Sequence, residues 1–210
     1  MAATGVAIGT DNHLSERLPN PDDPSKLIGN HVSHLGALYT LAGISGGTYL
    51  IGRIAGKERL RDTGWLGLEA LAHTQIVVQG IKLATQRERP PEITERRGFW
   101  KGGGSFPSGH AASAWAFATV VAQEYGDRKT VPVAVYSLAA VVSAARLSAR
   151  RHYASDILVG GVVGHLIGRY IHNSRRDAGL GSRGVSFTPR VGLRYSRPTR
   201  HYVLNLSWGF

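Results

Sequence analysis

The segment ARLSARRHYASD, at positions 145–156, places His152 four residues before Asp156 and six residues after Arg146. Side chains four residues apart lie on one face of a helix, so the carboxylate of Asp156 is expected to reach the imidazole of His152. A carboxylate that accepts the proton of one ring nitrogen leaves the other nitrogen free to attack. The forked guanidinium of Arg146 suits phosphate oxygens. Taken alone, the segment is more typical of an ion pair at the start of a helix.

The second informative segment is GGGSFPSGH, at positions 102–110, followed by an apolar run over 111–122. Ser108 stands where a helix N-cap belongs, so the helix is predicted to start at Gly109. The first N–H groups of a helix lack internal partners and suit an anion, and the imidazole of His110 would lie beside that anion as a proton donor. The alternative interpretation is a glycine-rich turn capped by serine.

The third segment is KLATQRERP, at positions 82–90. Lys82 and Arg89 are seven residues apart, and two helical turns would bring both cations onto one helix face. For this segment alone, a solvated and charged helix end is the favoured interpretation. The three segments together favour a single anion site.

In this order and with these gaps, the three segments resemble the signature of the type 2 phosphatidic acid phosphatase superfamily, which reads K-x6-R-P, P-S-G-H and S-R-x5-H-x3-D. This superfamily also includes bacterial acid phosphatases and vanadate haloperoxidases. The match spans residues 82–156 and departs at Ala145, where the family usually has serine. That serine is not a catalytic group in the family pattern, so the departure puts little in doubt.

The resemblance implies a role for each matching residue. His152 would attack phosphorus and form a phosphohistidine, Asp156 would orient His152, and His110 would protonate the leaving oxygen and then activate water. The residues that would bind the phosphate are Lys82, Arg89, Ser108, Gly109 and Arg146. Neither a metal nor another cofactor is expected, because these cations and the helix start would take the place of a metal.

The spacing of apolar residues predicts an all-α fold, a bundle of five to six helices around the phosphate site with a short C-terminal β-hairpin. The predicted helices cover about 31–55, 62–86, 109–125, 131–148 and 153–174. Period-two alternation predicts the hairpin within 185–210, its strands joined by Ser196-Arg-Pro-Thr199. The predicted organisation is an irregular arm over 1–30, a catalytic helical domain over 31–178 and the hairpin tail.

The composition indicates an anionic partner, because the 210 residues carry a formal net charge of +11. A phosphorylated small molecule or lipid is expected as substrate. An anionic membrane surface would also attract the eight arginines between Arg169 and Arg200. Nucleic acid is not expected as a partner, since no recognised nucleic-acid motif is present. The absence of cysteine excludes disulfides and thiolate chemistry.

The location predicted from these features is membrane-associated, at a bacterial inner membrane or in the periplasm. The longest uncharged run, 35–52, fits either a helical body resting on a membrane or a chain that crosses it. Residues 1–30 are polar and contain no secretory signal pattern.

The sequence therefore predicts a phosphatase for phosphate monoesters or pyrophosphates, including lipid phosphates. Two alternatives stay open at this point. A vanadate-dependent haloperoxidase would use a similar pocket, although those enzymes tend to be much longer chains. A non-catalytic protein that binds anionic lipid would use the basic surface, although binding alone does not need an oriented nucleophile.

Overall fold

The structure is a computed structural model that describes residues 11, 29, 31–90, 98–177, 190–196 and 201–207. A 3-10 helix (His34–Gly36) precedes five α-helices: α1 (Leu38–Ile54), α2 (Glu58–Thr85), α3 (Gly109–Glu124), α4 (Thr130–Ser148) and α5 (Ala154–Asp177). Two strands follow, β1 (Arg190–Ser196) and β2 (His201–Ser207). The predicted all-α class and the five predicted helices are confirmed, although α1 begins seven residues later and α2 four residues earlier than predicted.

Local sequence signals set the helix ends that border the site. Helix α2 ends where Gln86 adopts a left-handed backbone conformation with φ 44° and donates its N–H to the carbonyl of Lys82. Helix α3 begins at Gly109, and its N-cap Ser108 accepts a hydrogen bond from the N–H of Ala111 at 3.5 Å, as the sequence predicts. These two ends therefore frame the glycine-rich loop that connects α2 to α3.

Helix α3 lies at the centre of the helical body and contacts α1, α2 and α4. Its buried side chains are mostly alanines, so neighbouring helices approach it closely. Two apolar clusters flank it: Leu66, Ala70, Ala116, Val120 and Ile171 form one, and Ala114, Ala118, Ala139 and Val142 form the other.

A stripe of glycines brings α5 against α3. Gly160, Gly164 and Gly168 recur at every fourth position of α5, which places them on one face. A Cβ atom added at Gly160 would lie 2.5 Å from the carbonyl oxygen of Ser108, and one added at Gly164 would overlap the carbonyl oxygen of Ala112. The two helix backbones therefore touch directly, which is possible only for residues without a side chain.

The chain divides into two compact units, Met1–His172 and Asn173–Phe210. Within the second unit, β1 and β2 pair antiparallel from Arg190↔Ser207 to Ser196↔His201, so the predicted hairpin is confirmed over these strands. The rest of the predicted hairpin segment lies outside the described residues, as does the predicted arm over 1–30 apart from residues 11 and 29.

Gly164→Ala should destabilise the helical body by about 1–3 kcal/mol, the usual cost of overpacking, because the new Cβ would overlap the Ala112 carbonyl. This cost exceeds the gain of roughly 1 kcal/mol from better helix propensity. The matched control is Gly80→Ala on α2, where an added Cβ meets nothing within 4 Å, so Tm should rise slightly. Thermal unfolding of both variants tests this, and equal Tm changes would contradict the close helix contact.

Candidate active site

His152 lies in the short connection between α4 and α5, where its side chain is almost fully buried. Its Nδ1 atom is 2.9 Å from the backbone carbonyl oxygen of Ser105 and 3.5 Å from Oδ2 of Asp156. A carbonyl oxygen only accepts hydrogen bonds, so Nδ1 carries the ring proton and donates it. The other ring nitrogen, Nε2, is then unprotonated and available as a nucleophile.

Asp156 lies in the first turn of α5, and its carboxylate accepts hydrogen bonds from three donors. Its Oδ2 accepts the hydroxyl of Ser105 at 2.5 Å and the N–H of Tyr153 at 3.0 Å, while Oδ1 accepts Arg87 Nη1 at 2.6 Å. The sequence predicted His152 and Asp156 on one helix face. His152 instead precedes α5, and Asp156 reaches back across the helix N-terminus in the manner of a capping box.

A cavity of about 200 Å³ opens beside His152. It is lined by Leu38, Gln75, Gln79, Lys82, Arg89, Gly109, His110, Arg146 and His152. Six of the eight residues singled out in the sequence therefore share one cavity. The other two, Ser108 and Asp156, are fully buried and absent from its lining, where Ser108 caps α3 and Asp156 holds the residues around His152.

Three cations reach this cavity from separate elements. Lys82 Nζ donates to the carbonyl of Gly104 at 2.7 Å, and Arg146 Nη1 donates to Ser33 Oγ at 3.1 Å. The buried Nε of Arg146 has no hydrogen-bond partner among the described residues. The expectation that Lys82 and Arg89 share a helix face is wrong, because α2 ends at Thr85 and Arg89 follows it in non-helical chain.

The charges around the cavity favour an anionic ligand. Burial, followed by the charge of Arg146, lowers the pKa of His110 to about 3, so this imidazole is neutral at pH 7. Burial and the neighbouring Arg89 also lower the pKa of Lys82. Burial lowers the pKa of His152 against the opposing effect of Asp156. A bound anion would raise the pKa of Lys82 and of His152 again, because an opposite charge favours the protonated form.

At Asp156 the surroundings favour the charged form instead. Burial alone would raise its pKa, but hydrogen bonds from His152 and Ser105 and the charge of Arg87 hold the pKa below its usual value. The carboxylate is therefore ionised at neutral pH. Its negative charge is available to stabilise a proton on His152.

Arg87 is the main residue of this region that the sequence did not single out. Its guanidinium is 5% exposed, bonded to Asp156, and lies 4.1 Å and 4.9 Å from the ring centroids of Tyr153 and Phe99. The only signal in the sequence was its place inside the charged string RER, which does not distinguish it from its neighbours. Ser105 was also missed, because nothing in the sequence distinguishes it from its neighbours in the glycine-rich loop.

The fold and the cavity define a helical domain with a buried histidine beside a small cationic cavity. Within the described residues, no group of three or more His, Cys, Asp or Glu side chains could hold a metal ion. The family model of the PAP2 superfamily matches residues 63–179, which is more than half of the chain. The chain therefore belongs to the PAP2 superfamily, and the resemblance carried by the three segments is confirmed.

A lipid A 1-phosphatase from Porphyromonas gingivalis is 46% identical over 65 residues, which cover 30% of this chain and 15% of that protein. Among solved structures, LpxE from Aquifex aeolicus is similar with a TM-score of 0.58 and 21% identity, covering 79% of this chain and 94% of that one. A transmembrane PAP2 type phosphatidylglycerolphosphate phosphatase from Bacillus subtilis gives a TM-score of 0.59, 21% identity, and coverage of 84% and 87%. These two structures share the fold of this chain.

Binding of vanadate should raise the pKa of His110, because an anion in the cavity offsets the field of Arg146 and stabilises the imidazolium. NMR titration of histidine-labelled protein, with and without vanadate, measures this shift. His73, exposed on α2 and outside the cavity lining, is the internal control, and its resonance should not respond to vanadate. A His110 titration that vanadate leaves unchanged would contradict the assignment of the cavity as an anion site.

Proposed function

We propose that this chain is a phosphatase that hydrolyses lipid phosphate monoesters or diphosphates through a phosphohistidine on His152. One observation carries the proposal: a single small cavity joins the ring of His152 to His110 and to three cations. Membership of the PAP2 superfamily and the name of the Porphyromonas gingivalis relative support the same reaction class.

In the first step, Nε2 of His152 forms a bond to phosphorus while the bond from phosphorus to the leaving oxygen breaks. The attacking ring of His152 becomes positively charged, and its Nδ1 proton is held by the Ser105 carbonyl and the Asp156 carboxylate. His110 transfers its proton to the leaving oxygen. In the second step, His110 takes a proton from water as the water oxygen attacks phosphorus, which breaks the P–N bond and releases phosphate.

The cavity lining accounts for binding of the phosphoryl group. Lys82, Arg89 and Arg146 supply three positive charges, and the α3 N-terminus at Gly109 supplies free N–H groups. Phosphoryl transfer depends mainly on such positioning and electrostatic stabilisation. Each well-placed donor to the developing charge is worth about 10²–10³-fold in kcat. This donor set supports a reaction that proceeds without a metal.

The surface supports a lipid substrate at a membrane. Large apolar side chains are exposed along several helices, among them Ile51 and Ile54 on α1 and Val133 and Leu138 on α4. Among the described helices, Thr130–Ser148 is long and apolar enough to cross a bilayer. Leu38, which is half-exposed, lines the cavity and offers an apolar contact for a lipid chain. We propose a bacterial inner membrane, one of the two locations expected from the sequence.

His152→Ala should abolish hydrolysis of p-nitrophenyl phosphate without loss of the fold, because it removes the proposed nucleophile. Asp156→Asn should lower kcat less, since the Ser105 carbonyl still orients the ring. Rapid mixing with labelled substrate traps phosphate on the protein. Acid-labile phosphate indicates the phosphohistidine, whereas acid-stable phosphate indicates a phosphoester. Full activity in His152→Ala, or loss of wild-type activity in EDTA, would contradict the mechanism.

A lipid phosphate in mixed micelles should be hydrolysed with a higher kcat/KM than p-nitrophenyl phosphate, because its chain gains the apolar contact at Leu38. Leu38→Ser should reduce this preference while changing hydrolysis of p-nitrophenyl phosphate by less than about threefold, the effect of removing only uniform binding. Equal kcat/KM values for both substrates in the wild type would argue against a lipid substrate.

A further inference from the structure

Asp11 lies far from the three sequence segments yet is one of the most buried acids in the described chain, with 2% of its surface exposed. Its Oδ2 accepts Arg87 Nη2 at 2.7 Å and the hydroxyl of Ser155, while its Oδ1 accepts the backbone N–H of Ser155 at 3.0 Å. Neither the proposed reaction nor the cavity lining involves this residue directly.

The bond to Ser155 places Asp11 at the start of α5. Ser155 is the second residue of that helix, so its N–H is one of the donors that a helix cannot satisfy internally. Tyr153, just before the helix, has no short polar side chain to act as a cap. Asp11 therefore supplies the missing N-cap acceptor from a distant part of the sequence, on the same turn that carries Asp156.

The bond to Arg87 has an electrostatic consequence. Arg87 donates to Asp156 at 2.6 Å, and a guanidinium at that distance would cancel most of the field that Asp156 exerts on His152. Asp11 binds the same guanidinium, so Asp11, Arg87 and Asp156 together carry a formal net charge of −1. Without Asp11, the pair of Arg87 and Asp156 would be neutral. The net negative charge faces the Nδ1 proton of His152, where positive charge develops as the ring attacks phosphorus.

We infer that Asp11 is a positioning residue for the reaction: it caps α5 and balances Arg87, so that Asp156 keeps its negative charge for His152. This inference rests on the proposed function, because it assigns to Asp11 an effect on the attack by His152. Asp11 does not touch the cavity, so it should affect the rate of the chemical step and leave substrate binding unchanged.

The test is Asp11→Asn, which keeps the shape and one acceptor but removes the charge. We expect kcat to fall about 10- to 100-fold, the usual effect of losing a residue that orients a ligating or reacting group, with KM changed by less than about twofold. The NMR-measured pKa of His152 should also fall, because the protonated ring loses a stabilising negative charge. If Asp11 had only a structural role, its substitution would not lower the pKa of His152, and it would not lower kcat at a nearly constant KM.

The matched control is Asp127→Asn, which also removes a carboxylate paired with an arginine, Arg59, but on the exposed connection between α3 and α4. It should leave kcat and the His152 titration unchanged. The double variant Asp11→Asn with Arg87→Gln should be little slower than Arg87→Gln alone, because the asparagine keeps an acceptor for the Ser155 N–H and the charge of Asp11 acts through Arg87.

Three results would overturn the inference. They are wild-type kcat in Asp11→Asn, a lower kcat with an unchanged His152 titration, and failure of both Asp11→Asn and Asp11→Ser to fold, which would make Asp11 structural. A wild-type protein without phosphatase activity would instead refute the proposed function. The His152 titration in Asp11→Asn needs no turnover, so it still tests the link between Asp11 and His152 in that case.

Discussion

The buried carboxylate of Asp156 joins the parts of the chain that form the site. It accepts hydrogen bonds from Arg87, Ser105 and the N–H of Tyr153, and its own backbone carbonyl accepts the N–H of Ser108. An ionised carboxylate without these donors would cost several kcal/mol to bury. The segment after α2, the loop before α3 and the start of α5 must therefore come together for the carboxylate to be buried at all. The same bonds place the Ser105 carbonyl against His152.

Helix packing makes this convergence possible. Asp156 and Ser108 meet because α5 approaches α3 at backbone contact, and only the glycines of α5 allow that distance. A larger residue in the stripe would push α5 outward and lengthen the bond between the Asp156 carbonyl and the Ser108 N–H. The glycines of α5 therefore set the position of the candidate site as well as the fold. Gly164, which lies outside the cavity lining, still controls where His152 lies.

Local sequence rules predicted the helices and most residues of the site. Apolar spacing, the Ser108 cap and the gaps within each motif are all short-range signals. They failed where a helix stopped earlier than the pattern required. Lys82 and Arg89 were expected on one helix face, but α2 ends between them. Arg87 and Asp11 are 76 positions apart, and no local pattern links an acid near the start of the chain to one arginine in a charged string. Such pairs are determined by tertiary packing alone.

The charges of the empty cavity have a consequence for selectivity. His110 is neutral there, held so by burial and by the charge of Arg146, and a neutral imidazole is too weak an acid to protonate a leaving oxygen. Among the described residues that line the cavity there is no acid, so the negative charge that would raise the pKa of His110 comes from the bound ligand. A bound phosphate dianion would therefore help to protonate His110, whereas a neutral ligand in the same cavity would not. In the proposed mechanism, recognition of the anion and protonation of the acid catalyst are one electrostatic event.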